Sequence, residues 1–103
     1  MARKITELAV DAFMSGRVFS RDNTSVEVRP FKEESRVSAV LKLHGNVIAR
    51  RTLDGSLLEV CDGNWQTNTT KERLNGIPGV RVAQKKGQWF LNDVSWSGDW
   101  TKV

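Results

Sequence analysis

Ile5, Leu8, Ala9, Ala12 and Phe13 recur three and four residues apart, which lays one apolar stripe along a helix. Gly16 follows where helices commonly stop in the left-handed conformation, so the pattern predicts a helix over 4–15. The period then changes to two. Val26 and Val28 alternate with Glu27 and Arg29, a short strand ended by Pro30, which has no amide to donate. Val37, Ala39, Leu41 and Leu43 alternate with Arg36, Ser38, Val40 and Lys42 in a longer strand. Gly45-Asn46 tolerates the positive φ of a two-residue hairpin loop, after which Val47-Ile48-Ala49 resumes the strand. Asp54-Gly55 marks a further turn before Leu57 to Cys61, so three strands make an antiparallel meander. Arg21 to Thr24 and Phe31 to Ser35 read as connections.

The second half opens on Thr67-Asn68-Thr69-Thr70, a run of helix-capping residue types, and Thr69 with Glu72 has the spacing of a capping box. Leu74 and Ile77 give that short helix an apolar face, and Gly76, Pro78 and Gly79 end it. A second hairpin follows from Val80 to Leu91 around a Lys85-Lys86-Gly87 turn. Alternation sends one of Trp89 and Phe90 inward and leaves the other partly out. The tail from Asn92 to Val103 carries Trp96 and Trp100 among Ser, Gly and Asp. No repeat, low-complexity tract or linker breaks the 103 residues, so 1–103 is expected to be a single α+β domain. Its antiparallel sheet should have about five or six strands, meander plus C-terminal hairpin, with both helices on one face. Leu8, Ala12, Phe13, Val26, Val28, Leu41, Leu43, Ile48, Leu58, Val60, Leu74, Val82 and Phe90 are the expected core.

Charge adds a functional bias. The net charge is +4. Residues 1–35 balance six cations against six carboxylates, whereas 71–88 set Lys71, Arg73, Arg81, Lys85 and Lys86 against Glu72 alone. The local excess equals that of the whole chain. Such a concentration suits an anionic partner, a nucleic acid or an acidic protein surface, although a merely solvated basic face has the same composition. For a nucleic acid, the candidate phosphate contacts are Arg50, Arg51, Lys71, Arg73, Arg81, Lys85 and Lys86, with Trp89 as the stacking platform. Arg50 and Arg51 are adjacent in a strand and face opposite sides, so at most one serves a given surface. The start of the second helix, with Asn68, Thr69 and Thr70, is a weaker anion candidate, because self-capping by Thr69 competes for the same amides.

Catalytic chemistry finds little support. His44 is the sole histidine and sits beside a hairpin turn, with no pattern that would orient it against a nucleophile. Cys61, the sole cysteine, reads as a small packed side chain. One His and one Cys cannot close a four-ligand zinc site within the chain. Neither a Walker A loop, nor a GxGxxG after a strand, nor HExxH is present, so no catalytic residue, metal or cofactor is expected. A lone cysteine excludes an intramolecular disulfide and fits a reducing cytoplasm. No apolar run approaches the ~20 residues of a membrane span, and Met1-Ala2-Arg3-Lys4 leads into an amphipathic segment rather than a secretory signal.

The stretch from Gly63 to Gly76, GNWQTNTTKERLNG, is distinctive. Together with LHGNVIA over 43–49 and VAQKKGQWFL over 82–91, it resembles a group of small tailed-bacteriophage proteins that share an N-terminal helix, an LHGN hairpin, a W-x-TNTT-x-x-RLN helix start and a QK-x-x-x-W-x-L hairpin. The resemblance implies a phage gene product at work in the bacterial host cytoplasm, and it carries over no site residues. Three non-enzymatic roles fit that context. The first is a nucleic-acid-binding accessory protein using 71–88. The second is a host-takeover or anti-defence protein that binds and inhibits a bacterial protein. The third is an assembly protein that forms a homo-oligomer through Trp96 and Trp100.

Overall fold

Period-two patterning carries more of the chain into strands than into helices, and two helices pack against them. The computed structural model describes residues 4–30, 37–53, 57–63 and 66–103. Helix α1 (Lys4–Ser15) leads to β1 (Phe19–Arg21), β2 (Thr24–Pro30), β3 (Val37–Leu43), β4 (Asn46–Thr52) and β5 (Leu58–Val60). Helix α2 (Asn68–Asn75) precedes β6 (Val82–Lys85), β7 (Gln88–Leu91), β8 (Val94–Ser95) and β9 (Thr101–Lys102). The class is α+β. The strands divide into two antiparallel sheets, β1-β2-β3-β4-β5-β9 and β6-β7-β8. The hairpin therefore does not extend the meander in one sheet. The chain crosses through α2 before forming the hairpin, and only β9 returns to pair with β5. The expected connection over 31–35 and the turn at Asp54-Gly55 lie outside the described residues.

Turn chemistry sets the registers. The β3–β4 loop is His44-Gly45, one residue earlier than the Gly45-Asn46 expected from composition, and both residues hold positive φ, +52° and +81°. Asp22, also at positive φ, lets Phe19–Arg21 fold back on β2 as a strand, so the connection expected over Arg21 to Thr24 shrinks to Asp22-Asn23. A bulge in β4 leaves Ile48 opposite no partner, since Leu41 pairs Ala49 and Lys42 pairs Val47. The extra residue turns the Ile48 side chain into the core, where it is buried.

One apolar cluster serves both sheets. Ala9, Val10, Ala12 and Phe13 of α1 meet Val26, Ala39, Leu41, Leu43, Ile48, Ala49 and Val60 of the first sheet, and Leu74, Ile77, Val80, Val82, Trp89, Leu91 and Trp96 complete it. Within the expected core, Leu8, Val28, Leu58 and Phe90 are only half-buried. On α1 the buried face is centred one position round from the apolar stripe, on Thr6, Ala9, Val10 and Phe13, because Thr6 has a polar partner inside.

That partner is Arg73, 2% exposed. Its Nε donates to Thr24 Oγ1 at 3.0 Å and its Nη1 to Thr6 Oγ1 at 2.8 Å. Glu72 Oε1 accepts from the same Nη1 and from Thr6 Oγ1. Glu72 is thereby drawn to Arg73 and Thr6, and the capping expected of Thr69 with Glu72 is replaced by Thr67, whose hydroxyl accepts from the Thr70 amide. The helices cross here at close range. A Cβ on Gly76 would lie 2.6 Å from Thr6 Cγ2 and 3.0 Å from Val10 Cγ2, so glycine is required by space rather than by φ.

The tail ties the two sheets together. Trp96 Nε1 donates to the Asp99 carbonyl and to Thr101 Oγ1, and the Asp62 amide donates to Gly98 O. Gly98 sits at φ +98°, where a side chain is strained, and a Cβ there would also have to displace the Asp62 carboxylate.

Candidate functional site

The β6–β7 hairpin displays the cations. Its two-residue turn, Lys86-Gly87, takes φ of +52° and +80°, the primed geometry that follows the twist of the flanking strands. Lys85 and Lys86 thus stand exposed at the tip, with no ion pair to a carboxylate among the described residues. The base of the hairpin is pinned from both sides. Asn75 of α2 accepts from the Val82 amide at 2.7 Å and donates to the Val82 carbonyl at 2.9 Å, standing in for a neighbouring strand along the β6 edge. Asn92 Oδ1 accepts from the Arg81 amide at 2.8 Å. Lys71 reaches across from α2, donating to Gln84 Oε1 at 2.9 Å with its ammonium 5.6 Å from the Trp89 ring centroid. Arg81 is exposed and has Asp93 at 4.0 Å, a solvent-screened pair.

Four of the eight residues expected to bind nucleic acid are therefore on or beside this hairpin: Lys71, Arg81, Lys85 and Lys86. The other four serve the fold. Arg73 is inside it. Arg50 and Arg51 do face opposite ways. Arg50 Nε donates to Glu59 Oε1 at 2.8 Å, and its guanidinium lies 4.0 Å from the Trp100 ring centroid on the outer face of the first sheet. Arg51 Nη1 donates to the Phe13 carbonyl at 3.2 Å, satisfying one of the free carbonyls at the end of α1. Trp89 corrects the expected stacking platform: it is 2% exposed, with its ring 6.2 Å from that of Trp96. Alternation did place one aromatic in and one partly out, but in the opposite phase. Phe90 faces outward. The cue was parity, because Trp89 shares its face with Leu91, whereas Phe90 shares its face with Gln88. Trp96 is likewise a core residue, whereas Trp100 is partly exposed.

Elsewhere, a cavity of about 420 Å³ opens between the β3–β4 turn and the start of α2, lined by Leu43, His44, Ile48, Asp62, Thr67 and Thr70 among others. None of its lining residues is a lysine or arginine, so it stands apart from the cationic hairpin. Exposed His44 approaches Asn23 Nδ2 at 3.4 Å through Nε2. Burial pushes the Cys61 thiol up, which keeps it protonated at neutral pH, and it donates to Val47 O at 3.2 Å. Among the described residues, no group of three or more His, Cys, Asp or Glu is placed to hold a metal ion. No helix among them is long and apolar enough to cross a membrane.

The geometry describes a small α+β domain with a cationic hairpin. The chain belongs to the Kyanoviridae Gp96 protein family, whose model matches residues 2–102. No curated protein and no solved structure matches it.

Proposed function

We propose that this Gp96-family chain is a phage accessory protein that binds nucleic acid, without catalysis, through Lys71, Arg81, Lys85 and Lys86. One observation carries the proposal. The local excess over 71–88 survives folding, because the cation and carboxylate that cancel are Arg73 and Glu72, paired within the fold. What remains around the hairpin is exposed Arg81, Lys85 and Lys86 and half-buried Lys71, with Asp93 beside Arg81. A polyanion meeting that hairpin gains affinity mainly by releasing counterions, so binding depends steeply on salt. Four neutralised phosphates give a log–log slope of about −3 for a single strand. Fluorescence anisotropy with a labelled oligonucleotide measures it, and affinity unchanged at about 0.5 M salt would refute the proposal.

A second role, blocking a bacterial host protein, draws on a different corner. Val18 is 75% exposed, Met14 and Leu53 are also exposed, and Leu53 lies against the position a Gly16 side chain would take. Exposed apolar residues of this kind suit a protein partner. Pull-down from bacterial lysate with nuclease present separates the two: a host protein retained after nuclease treatment supports this role, and loss of all captured material supports the first.

A further inference from the structure

The outward face of the three-stranded sheet is organised in rows. Ala83, Phe90 and Ser95 stand opposite one another across β6, β7 and β8. Phe90 is on the central strand, half-buried and outside the core cluster, and both of its cross-strand neighbours are small and exposed. On either side of this row stands a cation: Lys85 on β6, two residues from Ala83 and about 7 Å along the strand toward the turn, and exposed Arg81 just before β6 begins, toward the base. Lys86 stands at the tip beyond Lys85. An aromatic ring with low neighbours can take a flat partner on its face, and cations before and after it can take charges on either side of that partner.

We infer that this face binds single-stranded nucleic acid, with one base stacked on Phe90 and the flanking phosphates held by Arg81 and Lys85. The inference rests on the proposed nucleic-acid role and narrows it to strands whose bases are free. In a duplex the base faces are already stacked on their neighbours, so Phe90 has nothing to receive. Stacking is indifferent to base identity, because every base has a π face, so the site is expected to be sequence-tolerant. It also explains why a hairpin rich in lysine keeps a large apolar side chain on its solvent side.

The test uses the full chain with labelled oligo(dT) and oligo(U) of about a dozen nucleotides and a duplex of the same length. Phe90→Ala is expected to weaken both single strands about tenfold while leaving duplex binding unchanged. Phe90→Trp is expected to restore single-strand binding. Phe90→Leu keeps apolar bulk without a π face and carries the test if the alanine variant melts early. Equal losses with oligo(dT) and oligo(U) support base stacking alone, and a loss confined to one of them overturns a sequence-tolerant platform. If Lys85→Glu/Lys86→Glu abolishes binding while Phe90→Ala and Phe90→Leu bind single strands like the parent protein, the stacking platform is wrong and the electrostatic proposal stands. If the parent protein binds neither single strand nor duplex at low salt, both fall.

Discussion

The two sheets use charge in opposite ways on their outer faces. Across the first sheet cations meet carboxylates on neighbouring strands. Lys42 on β3 lies 2.6 Å from Glu27 on β2, and Arg50 on β4 lies 2.8 Å from Glu59 on β5. Arg50 is also covered by Trp100. On the second sheet, Lys85 and Lys86 have no ion pair among the described residues, and Arg81 has only a distant, solvent-screened one. Charge that is matched across a ladder supports the sheet that carries it and is a poor landing place for an anion. Unmatched charge is the reverse. The contrast teaches that a count of basic residues says little about a binding surface until each has been checked for an internal use.

Substitutions can break the comparison, and their effects on stability should descend in a definite order. Arg73→Ala should have the largest effect, a loss of about 3 kcal/mol or more in urea unfolding, because Glu72, Thr6 and Thr24 would be left without their shared buried partner. A variant as stable as the parent would mean the interior cation is dispensable. Asn75→Ala should cost about 1–2 kcal/mol, since it frees both backbone groups of Val82 at the β6 edge. Arg50→Ala should cost about 1 kcal/mol through a part-exposed ion pair and one cation–π contact, with oligonucleotide affinity unchanged. An affinity loss there as large as at the hairpin would erase the distinction between the sheets. The double change Lys85→Glu/Lys86→Glu should shift stability least, within about 0.5 kcal/mol, while abolishing nucleic-acid binding at moderate salt.

Much of the fold was legible because binary patterning is a backbone property. The helix over 4–15, the long strand from Val37 to Leu43 and its hairpin partner follow from spacing alone. Short strands without alternation were not legible. Phe19–Arg21 and Thr101–Lys102 form only because β2 and β5 offer them an edge, and no residue within them announces it. The division into two sheets was hidden for a related reason, since it depends on where α2 packs rather than on the hairpin itself. The candidate site was half legible. Lys71, Arg81, Lys85 and Lys86 cluster in the sequence, and all four stay on or beside the β6–β7 hairpin. Arg73 was indistinguishable from them by type, and its burial is decided by Thr6 and Thr24, both more than forty residues away. Trp89 was misread by choosing the larger ring instead of the parity set by Leu91 and Gln88.

The β6–β8 unit joins the rest of the chain at both of its ends, through α2 on entry and through the Trp96–Thr101 clasp and β9 on exit. It is built as a span supported at two piers, not as an arm on a single hinge. A load placed on the hairpin would be shared between the helix crossing at Gly76 and the seam beside Gly98. The cationic hairpin is consequently expected to move with the body of the protein, and cutting either support would leave its chemistry intact while taking away its aim.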